Sequence, residues 1–192
     1  LVIGARGTFF ARSIDSNVKL SESVFVAAAQ HKGTSTVEVL QNCVIFNDGV
    51  HSAINDPVFR ADRQLIVEHG KPMLFGEENN KGIIFEKGKL KVAKIGGNGV
   101  TIDDILVHDA TEPDPSIHLS LINMQLPNFP VVFGVIRSVA APVYDIELVA
   151  QIEQVQQNRK ITCVDEVLNS GNTWEVTGNG HPNNGCLQKE LK

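Results

Sequence analysis

The sequence predicts an α/β fold in which helices cover a parallel sheet. A β-hairpin and further helices follow this sheet in the chain. Three observations support this class. Residues 1–40 have the order strand, helix, strand with short links, which favours parallel neighbours. The apolar run 130–136 is short and β-branched, as is typical of a strand buried on both faces. Residues 82–95 form two strand-like stretches around Gly88, a pattern that predicts a hairpin.

Composition restricts the class of protein. The chain has 192 residues, 42% of them hydrophobic, which is enough for one domain with an appendage. Its net charge of −5 is unfavourable for general nucleic-acid binding. No apolar run approaches the roughly 20 residues of a membrane helix. Three widely spaced cysteines form neither a disulfide framework nor a zinc pattern, so we expect a reducing, cytoplasmic setting.

The first 40 residues are predicted to form the first part of the sheet. Residues 1–5 are an apolar run before a glycine and predict a strand that already lies inside a sheet. Because a domain seldom starts with such a strand, we expect the chain to be the C-terminal part of a longer polypeptide. A helix from about residue 19 to 32 follows, with Ser16 or Asn17 as its cap and His31 in its last turn.

Cys43 lies just past the carboxyl end of the next predicted strand, which covers residues 34–40. In open α/β sheets, ligands and cofactors bind at that end of the strands. The pattern alone leaves two interpretations open. A single cysteine beside a strand is most often a small buried hydrophobic residue, and less often a thiolate ligand.

Two histidines raise the question of acid–base chemistry. Glu68 and His69 are adjacent, but neighbouring residues of an extended stretch point to opposite faces, so we do not expect them to act as a pair. His108 and Asp109 could form a general base, yet no nucleophile or metal ligand is near them in sequence. We therefore favour a structural role for His108.

The remaining segments predict connections and helices. The predicted features are a long surface connection over 50–80, a turn rather than a phosphate loop at 96–99, a capping box at 101–104, helices at about 115–125, 144–158 and 164–168, and a flexible tail from 177.

Five stretches together resemble one family. Residues 37–48 resemble the segment of the β subunit of 2-oxoacid:ferredoxin oxidoreductases that supplies one thiolate to an iron–sulfur cluster, and are most similar to the 2-oxoglutarate branch. Similar blocks follow the same order at 4–12, 68–76, 99–110 and 129–137, the last continuing to 142–145. The likeness spans about residues 1–175.

This resemblance implies a mechanism and a set of cofactors and partners. Such enzymes decarboxylate a 2-oxoacid on thiamine diphosphate, which is held with Mg²⁺ at the interface of the α and β subunits. Electrons pass through a [4Fe–4S] cluster to ferredoxin, and coenzyme A accepts the acyl group. The fold implied is part of a thiamine-diphosphate-binding-type parallel sheet with a C-terminal extension.

By the resemblance, Cys43 is the last of the four cluster thiolates. The other three, and the Gly-Asp-Gly and Asn that bind Mg²⁺, belong to the family's N-terminal half and have no counterpart here. The residues expected around the cluster and cofactor are Asn42, Phe46, Asn47 and Asp48. Cys163 and Cys186 match no ligand position, and Ala140-Ala141 replace a charged pair that the family often has.

The resemblance also implies a division into the end of the cofactor-binding domain (1–70), the extension (71–176) and the tail (177–192). We expect the chain alone to be inactive, because one thiolate cannot hold a cluster. Two alternatives remain open. The first is a pyruvate or branched-chain 2-oxoacid enzyme of the same family. The second is a cofactor-free α/β interaction module in which Cys43 is buried and inert.

Overall fold

A four-stranded mixed sheet forms the centre of the first of two units. The computed structural model describes residues 1–97 and 99–173. The first unit is Leu1–Val143 and the second begins at Tyr144. The strands of the first unit are β1 (Phe9–Ile14), β2 (Ser35–Leu40), β3 (Gln64–Val67), β4 (Leu74–Phe75), β5 (Lys81–Glu86), β6 (Lys89–Lys94) and β7 (Val131–Ser138). Its α-helices are α1 (Val18–Gln30), α2 (Ser52–Asn55), α3 (Arg60–Arg63) and α4 (Ser116–Ile122), with single 3₁₀ turns at Glu77–Asn79 and Ile102–Asp104.

The strand order of the main sheet is β2-β1-β7-β3. β1 and β2 are parallel, β3 and β7 are parallel, and β1 is antiparallel to β7. The mixed α/β class is therefore confirmed, but the expected parallel direction is wrong between β1 and β7. Local sequence pattern does not encode the direction of strands that are far apart in the chain. We call the side of the sheet at which β1 and β2 end the Cys43 edge; β3 and β7 end at the opposite side.

The predicted strand at residues 1–5 is wrong. These residues form turns, in which Ala5 N donates to Leu1 O (2.9 Å) and Gly7 N donates to Val2 O (2.9 Å). Ile3 is nevertheless buried in the core. A short apolar run looks the same in sequence whether its residues pair as a strand or pack as a turn. The first strand is β1. It pairs in parallel with β2, which follows it in the chain after α1, as predicted from the strand–helix–strand order.

The sheet separates two apolar clusters. α1 packs on one face through Val24, over Phe9 and Ala11. The other face carries the larger cluster, whose members include Phe10, Leu65, Met73, Ile83, Leu121, Val132 and Ile136. β7 is buried along most of its length, which confirms the prediction from its apolar run. At its centre Gly134 has φ +106°, and a Cβ there would lie 2.5 Å from Val67 O, so the strand requires glycine at this position.

Most of the other predicted elements are confirmed. Asn17 Oδ1 accepts from Leu20 N (3.1 Å) and caps α1, although His31 lies just after the helix rather than in its last turn. β5 and β6 form the hairpin, and Thr101 and Asp104 form the capping box. β3 was missed inside the predicted connection, and α4 is shorter than expected.

The second unit contains α5 (Tyr144–Asn158) and α6 (Val164–Leu168), as predicted. The predicted tail lies outside the described residues from 174 onward. The division near residue 70, which the resemblance implied, remains a prediction. Strand β7 lies beyond that division in the chain but shares a sheet with β1, β2 and β3. Within residues 1–97 and 99–173, no helix has both the length and the apolar character needed to cross a membrane.

Candidate functional site

Cys43 lies in a tight loop that follows β2 at the Cys43 edge. The loop is attached to the neighbouring strand, because Asn42 N donates to Asp15 Oδ2 (2.8 Å) and Asp15 N donates to Leu40 O (3.1 Å). Asp15 is the residue directly after β1. The ends of two parallel strands are thus joined, and the loop has a defined position at the edge where α/β proteins hold ligands.

Asn42 closes this loop with its side-chain amide. Its Nδ2 donates to Asp48 Oδ1 (2.9 Å), and its Oδ1 accepts from Gly49 N (2.8 Å). Inside the loop, Asn47 N donates to Cys43 O (2.9 Å). These bonds fix a turn of five residues with the cysteine at its start. The predicted site residues Asn42, Cys43, Phe46, Asn47 and Asp48 therefore lie in one ordered loop.

The loop favours the thiolate form of Cys43. The backbone N–H groups of Phe46 and Ile45 lower the pKa of the Cys43 thiol; desolvation opposes them, and the N–H group of Asn47 makes a smaller contribution in the lowering direction. The thiolate is the form that binds metals. Cys43 is exposed, so the burial that the interaction-module alternative requires of it is wrong.

Three large apolar side chains beside the thiol are exposed. Val44, Ile45 and Phe46 expose 75%, 81% and 89% of their surface. An apolar surface of this kind, contiguous and next to a reactive group, is typical of a contact site rather than of ordinary protein surface. The environment of Cys43 in this chain is therefore a rigid, apolar loop tip that presents a single sulfur.

The described residues contain no complete metal site. Among them, no group of three or more His, Cys, Asp or Glu side chains could hold a metal ion. Cys163 directly precedes α6 in the second unit, and Cys186 lies outside the described residues. Cys43 is a free and exposed thiol, whereas a cubane cluster is held by four thiolates.

The structural role predicted for His108 is confirmed. Its ring is buried and its Nε2 lies 2.9 Å from Val135 O, while Asp109 accepts from Thr111 N (2.8 Å) and Thr111 Oγ1 (2.6 Å). His69 Nδ1 instead lies 3.4 Å from Asp109 Oδ1 on the surface. This pair follows β3, at the side of the sheet opposite Cys43.

Glu68 forms an ion pair with Lys71, which agrees with the expectation that Glu68 and His69 do not act together.

Asp15 is the site residue that the sequence did not reveal. It orients the cysteine loop through Asn42 N, yet no sequence pattern assigned it a role. Correct placement of β1 at Phe9–Ile14 would have put Asp15 at a strand end beside the loop. The error over residues 1–5 concealed that signal.

Comparison with known proteins agrees with the resemblance. The chain is 34% identical, over 179 residues and 92% of its length, to 2-oxoglutarate oxidoreductase subunit KorB of Mycobacterium tuberculosis. It spans about half of that relative, 47%, and aligns with its C-terminal part. No family model and no solved structure matches the chain. This match supports the resemblance found from the five blocks: the chain is similar to the C-terminal part of a 2-oxoglutarate oxidoreductase subunit.

Proposed function

We propose that this chain is the C-terminal part of the β subunit of a 2-oxoglutarate:ferredoxin oxidoreductase and supplies one thiolate of its [4Fe–4S] cluster. The observation that carries the proposal is Cys43. It stands in the stretch that resembles the family's cluster-binding segment, and it is exposed with a thiol pKa below the ordinary value. Similarity to KorB over nearly the whole chain supports the assignment.

Different residues of the loop would make different contributions to binding such a cluster. Cys43 offers the sulfur, and the N–H groups of Ile45, Phe46 and Asn47 stabilise its negative charge. Asn42 and Asp48 hold the backbone in the conformation that aims those N–H groups. When bound, an iron–sulfur cluster accepts and releases one electron at a time. The protein sets the reduction potential of a cluster through hydrogen bonds to the cluster sulfurs and through the exposure of the cluster to solvent.

The whole enzyme would oxidatively decarboxylate 2-oxoglutarate, transfer the acyl group to coenzyme A and reduce ferredoxin. Thiamine diphosphate and Mg²⁺ would be held by an N-terminal half of the β subunit together with the α subunit. The present sequence contains neither Gly-Asp-Gly nor a C-x-x-C pair, so we expect this chain alone to be inactive.

The first test is the iron content of the complete β subunit, purified with its α partner without oxygen, for wild type and Cys43→Ala. We expect about four irons per wild-type β subunit. The variant should lose most of the iron and of the visible absorption. Asn123→Ala, which removes one surface bond to Leu119 O at the end of α4, is the control and should retain both. Unchanged iron in Cys43→Ala would show that Cys43 is not a ligand.

Substrate choice needs a separate assay. Coenzyme-A-dependent ferredoxin reduction should be fastest with 2-oxoglutarate, compared with pyruvate and branched-chain 2-oxoacids at equal concentration. A preference for one of the others would move the protein to a different branch of the family. If no 2-oxoacid supports ferredoxin reduction and no iron is bound, the proposed function is wrong.

A further inference from the structure

Two consecutive residues after β1 hold the segment that carries Cys43. Asp15 Oδ2 accepts from Asn42 N (2.8 Å), the amide one residue before the cysteine. Ser16 Oγ donates to Asn55 Oδ1 (2.7 Å), at the end of α2. The stretch from 42 to 55 is therefore attached at both ends to neighbouring residues of one short connection.

The connection that bears these two anchors, residues 15–17, is itself fixed. Asp15 N donates to Leu40 O (3.1 Å), which extends the pairing of β1 with β2 by one bond. Asn17 N donates to Ile14 O (3.0 Å), and the Asn17 side chain caps α1. Because the sheet holds the backbone of Asp15 on one side and the start of the helix holds it on the other, its carboxylate extends from a fixed position.

Asp15 and Asn42 have different effects on the cysteine loop. The Asn42 side chain bonds Asp48 and Gly49, which belong to the same loop, so these bonds determine its shape. Among the residues that the structure describes, Asp15 alone lies outside 42–49 and bonds this loop through its side chain. The Asp15 bond therefore ties the loop to the end of β1.

The bond between Asp15 and Asn42 is of a strong type and lies close to the sulfur. A carboxylate that accepts from a backbone N–H forms a charge-assisted hydrogen bond, which is stronger than a neutral one. Gln41 is the single residue between the end of β2 and Asn42, and Cys43 follows Asn42 directly. Fixing the Asn42 amide therefore restricts where the next residue can place its thiol.

We propose that Asp15 is a positioning residue for the Cys43 thiolate, whose carboxylate holds the cysteine loop where the sulfur can join a cluster shared with other thiolates. The inference rests on the proposed function, under which Cys43 is a cluster ligand. Removal of a group that orients a metal ligand typically lowers metal affinity by about 10- to 100-fold. A cubane cluster is sensitive to such a displacement, because four thiolates must reach it together.

The test is the release of iron from the complete αβ enzyme, purified without oxygen, for wild type, Asp15→Ala and Asp15→Asn. The readout is the rate at which a ferrous chelator takes up the iron. We expect Asp15→Ala to release iron about tenfold faster, because the loop has lost its tie to the sheet. Asp15→Asn retains an acceptor for Asn42 N and should stay close to the wild-type rate.

Asp109→Ala is the matched control. Asp109 Oδ1 accepts from Thr111 N (2.8 Å), which is an exposed carboxylate-to-backbone bond of the same length at the opposite side of the sheet. This variant should release iron at the wild-type rate. Hydrogen exchange of residues 41–49, followed by mass spectrometry on the same samples, should be faster in Asp15→Ala and unchanged in the control.

Each other outcome decides against the inference. Wild-type iron release or wild-type hydrogen exchange in Asp15→Ala overturns it, and an equal increase in Asp109→Ala shows a general loss of stability instead. If Asp15→Asn behaves like Asp15→Ala, the hydrogen bond is not what holds the loop. If Asp15→Ala does not assemble, Asp15→Leu replaces it, and iron release at the wild-type rate there overturns the inference.

Failure of the proposed function gives a different result. If wild type binds no iron, or if Cys43→Ala retains it, the proposed function fails and the inference fails with it. Iron that depends on Cys43 but not on Asp15 removes the inference alone.

Discussion

Arg137 Nη1 donates a hydrogen bond to His118 Nδ1 across 3.0 Å, and both side chains are buried. A guanidinium has no acceptor, so Nδ1 of His118 must provide the lone pair. The ring proton is therefore on Nε2, which lies 2.8 Å from Asp109 O and donates to it. His118 is neutral in the folded protein, and its tautomer is fixed from both sides.

Arg137 joins segments that are far apart in the chain. Its Nε donates to Gly7 O (3.0 Å), and its terminal nitrogens donate to Glu112 O (2.9 Å) and Pro113 O (3.1 Å). Arg137→Met would leave these carbonyls and His118 Nδ1 without a donor inside the protein. We expect a loss of about 3–5 kcal/mol in the free energy of unfolding, measured in urea.

Arg12→Met is the control for that experiment. Arg12 lies on the neighbouring strand β1, and its Nε lies 2.6 Å from Oε2 of Glu38. The Glu38 side chain is about half exposed. We expect a loss of about 1 kcal/mol at most from this pair. Equal losses in the two variants would contradict the assignment of Arg137 as the link between these segments.

Stability should fall on mild acidification because of two buried histidines. Burial is the main cause that lowers the pKa of both His108 and His118. In the unfolded chain each histidine titrates near its ordinary value of about 6.5. Below that pH the unfolded state binds more protons than the folded state, so the free energy of unfolding decreases as pH falls. It should be independent of these groups above about pH 7.

The measurement is urea unfolding between about pH 8 and 5.5, where carboxylates titrate little. The slope should reach at most about 1.4 kcal/mol per pH unit for each histidine. His118→Gln retains an acceptor for Arg137 and removes one titrating group, so its slope should be smaller. A variant with the wild-type slope would show that His118 does not cause the dependence.

The local sequence pattern predicted those elements whose capping or turn residues are visible in the sequence. The cap at Asn17, the turn at Gly88 and the capping box at Thr101 each depend on neighbouring residues, and all three are present. Strand β3 was missed because its four residues are too few to show a period. The link from Asp15 to the cysteine loop joins residues 27 positions apart, and no local pattern reports such a contact.

Gly134→Ala should disrupt the central strand. The residue has φ +106°, and an added Cβ would lie 2.5 Å from the backbone oxygen of Val67, which cannot move without breaking the β3–β7 pairing. We expect a loss of about 2–4 kcal/mol in the free energy of unfolding. Gly88→Ala is the control: it has φ +78° and nothing within 4 Å, so only backbone strain of about 1 kcal/mol applies. A cost for Gly134→Ala no larger than this would contradict the steric argument.

Asn42→Ala should weaken the environment that stabilises the Cys43 thiolate. The substitution removes the bonds to Asp48 Oδ1 (2.9 Å) and from Gly49 N (2.8 Å), which close the loop. The N–H groups of Phe46 and Ile45 then lose their fixed orientation toward the sulfur, so the pKa of the Cys43 thiol should rise toward its ordinary value.

The readout is the alkylation rate of the Cys43 peptide in iron-free protein as a function of pH, followed by mass spectrometry. Wild type should reach half its maximal rate at a lower pH than an ordinary cysteine, because only the thiolate reacts, and Asn42→Ala should do so at a higher pH than wild type. Asn123→Ala, which removes a surface bond to Leu119 O (2.8 Å) on α4, should leave the profile unchanged. If Asn42→Ala also leaves it unchanged, the loop backbone holds its N–H groups without the asparagine. Asn42 would then have no part in preparing Cys43 as a ligand.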